Sequence, residues 1–262
     1  MSSRTDEQAA DPQVDVLMYH SISNGAGPTN IAPALFESQM RALAEEGVSV
    51  VSLSDLADWR AGRRTLPPRS AVITFDDGFA DFAHTAFPVL KAHGFTATVF
   101  LPTGCMGGVE NWRGADIPPR PLMSWAEVER LAGEGISFGG HGISHANLAA
   151  MSGSGLDDEI SRPRSDLEAR LGVPAEHFAP PYGLSSPHVQ REIARVWRTS
   201  CGTRFGRMDR SEDIYDIPRI EMYYYRDPAL WRRHLRGEGG AYLRRRKLLR
   251  TIRGMILKPW VQ

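Results

Sequence analysis

The sequence predicts an α/β fold in which a parallel sheet closes into a barrel. First, short β-rich runs alternate with longer helical patterns along one domain-sized chain of 262 residues, the signature of βα units on a parallel sheet. Second, eight candidate strands can be read, at 14–19, 48–53, 71–75, 97–101, 136–139, 177–180, 198–202 and 216–220. That number suits a barrel better than a short open sheet, which is the alternative. Third, the polar residues with chemistry to offer stand just after these runs, where barrels keep their sites.

Helical segments fall between the strands, near 33–46, 79–92, 124–134, 155–171 and 187–195. In the first, Leu35, Phe36, Met40 and Leu43 recur near a 3.6-residue period. Ser124 with Glu127 three positions on is a capping box. The Gly- and Pro-rich stretch 104–121 reads as a loop able to line a substrate groove. The composition, 42% hydrophobic and 24% charged, is that of a globular chain and excludes general disorder. Cys105 and Cys201 do not make a disulfide framework and read as free thiols. A polar tail, residues 1–13, lacks the basic-then-apolar pattern of a secretory signal, and no run approaches the ~18 apolar residues of a bilayer span. A cytoplasmic location is the expectation.

The run Val72-Ile73-Thr74-Phe75-Asp76-Asp77-Gly78 carries an apolar strand straight into two adjacent carboxylates. Neighbouring anions repel, so a cation, a metal or a shared proton is needed beside them. Gly78 lets the chain turn tightly; the plainer reading is an Asp-Asp-Gly turn. Downstream, His141-Gly142-Ile143-Ser144-His145 places two imidazoles at i and i+4, on one face if the segment is a helical turn. One carboxylate with two imidazoles suits a divalent transition metal such as zinc, with positions left open for water.

These stretches resemble the first two motifs of the polysaccharide deacetylase family, carbohydrate esterase family 4. Phe178-Ala179-Pro180-Pro181-Tyr182-Gly183 resembles its third motif, and the likeness runs over about residues 14 to 235. The resemblance implies a distorted (β/α)7-type barrel with a metal, Zn2+ first, at the C-terminal ends of the strands. It implies Asp77, His141 and His145 as metal ligands, Asp76 as general base and the backbone N–H of Tyr182 at the oxyanion. Two positions depart from the common pattern. No Leu-x-His motif stands near the C-terminus; Leu17-Met18-Tyr19-His20 resembles instead the circularly permuted members that act on poly-N-acetylglucosamine-type polymers, which makes His20 the general acid. Where an arginine often precedes Pro-x-Tyr the chain has Ala179, and Arg219, at another strand end, is the candidate to supply that charge.

The expected activity is hydrolysis of the N-acetyl group of an amino sugar, in a glycan or linked to lipid. The alternatives are a deformylase, an O-acetyl esterase, a non-catalytic carbohydrate-binding barrel and, more remotely, a phosphoesterase. The barrel is expected over residues 14–238. Residues 239–262 are expected to form a basic amphipathic helix. From Arg232 to the end the chain carries ten Arg or Lys against one acid, +9 in a chain of zero formal net charge. Tyr242, Leu248, Leu249, Ile252, Met255 and Ile256 share one face, with Arg246, Lys247, Arg250, Arg253 and Lys258 opposite. That pattern fits peripheral contact with anionic membrane; the other packing sets the apolar face on the barrel and the arginines in water. Nucleic acid is not an expected partner, because the interleaved aromatics of single-strand binders are missing.

Overall fold

The structure, a computed structural model, describes residues 13–256; most of the polar tail and the last residues of the basic segment, Lys258 and Trp260 included, lie outside them. In chain order the elements are β1 (Asp15–Tyr19), α1 (Pro33–Glu45), β2 (Ser49–Val50), α2 (Leu53–Arg60), β3 (Ser70–Phe75), a π-helical turn (Phe82–Ala86) running into α3 (Phe87–Ala92), β4 (Thr98–Leu101), α4 (Trp125–Gly133), β5 (Ser137–Gly140), α5 (Gly153–Leu171), β6 (His177–Phe178), α6 (Pro187–Val196), β7 (Thr199–Phe205), β8 (Ile217–Glu221), α7 (Pro228–Leu235) and α8 (Gly240–Ile256). Seven strands close a parallel barrel. β1 pairs with β3 over Asp15↔Ala71 to Tyr19↔Phe75 and with β8 through Leu17↔Ile220.

Strand parity sorts the side chains into two cores. Leu17, Tyr19, Ile73, Phe75, Val99 and Leu101 face outward and are buried under the helices. Val16, Val72, Phe100, Cys201 and Ile217 fill the barrel interior. Continuing the inward parity two residues at a time leads to His20 directly after β1, Asp76 directly after β3, and Arg219 and Glu221 on β8, so the strands deliver polar groups to the mouth.

One expected strand is much shorter than its sequence suggests. Of residues 48–53 only Ser49–Val50 pair, as a spur on the start of β3. Ser52 then makes a reciprocal capping box with Asp55 and opens α2, whose Leu53, Leu56 and Trp59 join the inner core. Ser54 Oγ lies 3.0 Å from His177 Nε2 and Arg198 pairs with Asp58 at 2.7 Å, so α2 plugs the barrel at the N-terminal ends of its strands. The Ser124–Glu127 box forms as the sequence indicates. Both cysteines are free, and burial pushes the Cys201 thiol up to about 12. Among the described residues no helix is long and apolar enough to cross a membrane.

Candidate active site

A pocket of about 690 Å3 opens at the mouth, with Asp76, Asp77, His141 and His145 in its wall beside His20, Tyr182 and Glu221. Asp77 Oδ1 lies 3.2 Å from His141 Nε2 and 3.1 Å from His145 Nε2. The three ligand atoms fall within 4.8 Å of one another and all three residues are buried.

The backbone that builds this cluster is strained. Asp77, His145 and Tyr182, with φ of 73°, 59° and 59°, are the non-glycine residues with positive φ among those described. Each costs roughly 1–2 kcal/mol relative to a right-handed conformation, and all three lie in the site. The two histidines do not come together on a helical turn, as their i, i+4 spacing suggests. Gly142 at φ 76° and His145 at φ 59° fold the segment into a loop. Glu159 of α5 ties that loop down. Its Oε2 accepts from Ile143 N at 2.6 Å and Ser144 N at 3.2 Å, and its Oε1 from the Ser144 hydroxyl at 2.6 Å. A Cβ on Gly142, which is left-handed, would stand 2.7 Å from Glu159 Oε2, so a side chain there would be strained and would displace the carboxylate that ties the loop down.

The donor set suits a divalent cation. His141 Nδ1–H donates to the Ala179 carbonyl at 2.6 Å, which leaves Nε2 aimed at Asp77, the second partner that metal-ligating histidines usually have. His145 Nδ1 is buried with no hydrogen-bond partner among the described residues. Its ring is held instead by Trp112, stacked at 4.2 Å, and by Tyr182, edge-on at 4.6 Å. Burial pushes the His145 pKa down, while at His141 the nearby carboxylates outweigh burial and raise it. At Asp77 burial is overcome by the two imidazoles, which hold the carboxyl well below its usual range.

Asp76 has a different neighbour. Arg219 Nη1 and Nη2 donate to its two oxygens at 2.7 and 2.8 Å, a bidentate pair with both partners buried. Arg219 is further fixed by Nε donating to Gly202 O at 2.8 Å and Nη1 to Thr74 Oγ1 at 3.2 Å. Burial alone would raise the Asp76 pKa, but the guanidinium wins and it sits below the usual value. His20 Nε2 is 3.9 Å from Asp76 Oδ2, beyond hydrogen-bond range, so both groups remain available to a reactant. Ala179 brings no charge to the site: its carbonyl accepts from His141, its N–H donates to Gly140 O and its side chain joins the inner core.

Two residues of the site escaped the sequence reading. Glu221, two positions after Arg219, shares its inward parity and lines the pocket, where burial raises its pKa; the alternation along β8 was the available sign. Trp112 sits in the 104–121 loop, where no period marks it.

Fold and site together describe a (β/α)-barrel hydrolase. The polysaccharide deacetylase model matches residues 63–197, and the chain belongs to that family. The matched stretch contains Asp76, Asp77, His141, His145 and Tyr182 but neither His20 nor Arg219. The chain is similar to YxkH of Bacillus subtilis (strain 168), 23% identical over 211 residues, 80% of this chain and 71% of that protein. It is similar to the poly-beta-1,6-N-acetyl-D-glucosamine N-deacetylase of Staphylococcus aureus (strain MRSA252), 23% identical over 219 residues, 78% and 71% of the two chains. Its fold matches the Streptococcus pyogenes deacetylase PplD, solved in complex with acetate, with TM-score 0.71 and 21% identity over 80% of this chain and 92% of that one.

Proposed function

We propose that the protein is a metal-dependent N-deacetylase of amino sugars, acting on a glycan or a lipid-linked sugar. The observation that carries this reading is the pairing of a chelating triad, Asp77, His141 and His145, with an arginine-clamped carboxylate on the adjacent residue, Asp76. Binding alone would not need a base beside a metal set.

Asp77, His141 and His145 would hold a divalent cation, zinc first, which would supply Lewis acidity to the acyl group and to the attacking water. Asp76 takes the water's proton as it attacks the amide carbon; Arg219 keeps that carboxylate ionised and fixes both oxygens. Tyr182 lines the pocket in a left-handed conformation, and in this reading its backbone N–H donates to the developing oxyanion. His20, facing Asp76 from the neighbouring strand end, gives a proton to the nitrogen so that it leaves as an amine rather than an amide anion. Trp112 and Tyr182 bracket His145 and offer aromatic surface to a sugar ring.

The test measures bound metal in the purified protein and in His141→Ala and Asp77→Ala, with zinc titration, then acetate release from N-acetylglucosamine oligomers. The expected result is about one equivalent in the parent, loss in both variants and acetate release that follows the metal. Formate from an N-formyl sugar, or acetate only from an O-acetyl sugar, would change the acyl group and keep the machinery. A folded parent that binds no zinc would overturn the reading.

A further inference from the structure

Of the two packings the sequence allows for helix α8, the one that sets its apolar face on the barrel is not the one formed. Its barrel-facing side carries cations. Tyr242 donates its hydroxyl to Tyr224 O at 2.7 Å, and Arg246 lies over the Tyr224 ring at 4.7 Å while donating to the Tyr242 hydroxyl. One turn on, Arg250 donates to Thr203 O at 3.1 Å and reaches the pocket wall. Leu243 packs on the core, whereas Leu248, Leu249 and Ile252 point outward, at 60%, 46% and 42% exposure. Exposed Arg244 and Arg245 flank them, and α8 contains no acidic residue.

This outward apolar face is not isolated. Of the seven large apolar side chains exposed among the described residues, six belong to segments that build the pocket. Three are on α8. Val109 and Ile117, the latter 98% exposed, are on the loop that carries Trp112 and Arg120, and Tyr182 is the sixth. Scattered surface leucines need no explanation, whereas three exposed aliphatic side chains within five residues of one basic helix do.

We propose that α8 seats the molecule on an anionic lipid bilayer, with Leu248, Leu249 and Ile252 in the acyl boundary, Arg244 and Arg245 among the headgroups, and the pocket mouth beside the membrane. Aliphatic side chains rimmed by arginine match an interfacial helix, and cations without acids match anionic headgroups. A second copy of the chain is a poorer occupant, because a stable dimer needs roughly 20–30 residues a side and charged rims would meet like charges. The proposal deepens the deacetylase reading by making the substrate an amino sugar carried on lipid. Docking itself requires no catalysis, so the two can fail separately.

The experiment is co-sedimentation of the full chain with vesicles of phosphatidylcholine alone and of phosphatidylcholine mixed with phosphatidylglycerol. A Leu248→Glu/Leu249→Glu variant and sedimentation velocity without lipid accompany it. The expected result is binding to the mixed vesicles, weakened at least about tenfold in the variant, with the melting temperature unchanged because both positions are exposed. No binding to the mixed vesicles overturns the proposal. So does binding that the variant retains in full, which would be charge attraction without apolar seating. A lipid-free dimer that the variant dissolves would assign the face to a second copy.

Discussion

At the N-terminal ends of the strands, His234 has both ring nitrogens occupied: Nε2 lies 3.0 Å from Asp15 and Nδ1 2.9 Å from the Tyr225 hydroxyl. Asp15 also takes Arg207 at 2.7 Å, and Trp231 stacks on the imidazole. At the mouth, His145 meets the same kind of carboxylate, but its Nδ1 has no partner among the described residues and its backbone is left-handed. Both histidines are buried, at 6% and 5% exposure. One network is closed on itself and relaxed; the other is open and strained. A buried polar group that spends all its bonds on protein is there for the fold, and one left with bonds to give is there for something else.

Exchanging the two for alanine gives the largest expected effects. His145→Ala should remove metal binding and lower acetate release at least about 1000-fold, about 4 kcal/mol in barrier. Melting with chelator present should change less than in His234→Ala. There the buried pair is broken and Asp15 is left short of a donor, at a cost of about 3 kcal/mol, or roughly 6–12 °C in a chain of this size. Turnover per folded molecule at low temperature should be preserved. Thermal melts beside single-temperature assays read both axes; a His234→Ala that melts normally but loses turnover would erase the distinction.

A second histidine at the base sharpens the contrast through pH. His177 is held between Ser54 and Thr199, and burial lowers its pKa from 6.5 to about 4. Because the folded value is below the unfolded one, the unfolded chain takes up the proton first. Stability is therefore full above about pH 6.5 and declines as pH falls toward about 4, by about 3 kcal/mol in the limit. Urea midpoints across that range should fall in the parent and fall less in His177→Gln. Identical profiles would remove His177 as the cause.

How much of this was legible depended on where the partners lie in the chain. Asp76, Asp77, His141 and His145 stand in short motifs at strand ends, and the strands themselves are local patterns, so the barrel and its mouth could be placed. His141 and His145 were paired for the wrong local reason, since their spacing reads as helical and Gly142 makes it a loop. Arg219 could be named but not seated: its contact with Asp76 spans 143 positions. The fork appears only when β8 closes beside β1. Trp112 had no period to betray it. For α8 the two faces were drawn with one error: Tyr242, grouped with the leucines, packs on the barrel beside Arg246 and Arg250. Nor could the faces be assigned, because cations that pack on Tyr224 and Phe205 outcompete leucines for the barrel only once those rings are in place.

The smallest expected effect tests the strut between the two kinds of site. Glu159 touches no reactant, yet it takes both backbone N–H groups and the Ser144 hydroxyl of the loop carrying the mouth histidines. Glu159→Gln keeps the volume but replaces one charged acceptor oxygen with an amide NH2, which cannot accept those bonds. Groups that orient metal ligands from behind change affinity about 10–100-fold when altered. Glu159 acts one step further out, so zinc affinity should fall about tenfold, about 1.4 kcal/mol. Once the variant is saturated with zinc, kcat should recover most of the way. Isothermal titration with zinc and an activity curve against added zinc separate the two quantities. A loss of kcat that zinc does not restore would mean that the loop shapes the reacting geometry itself. An unchanged zinc affinity would mean that the strained turn at His145 is held by Trp112 and Tyr182 alone.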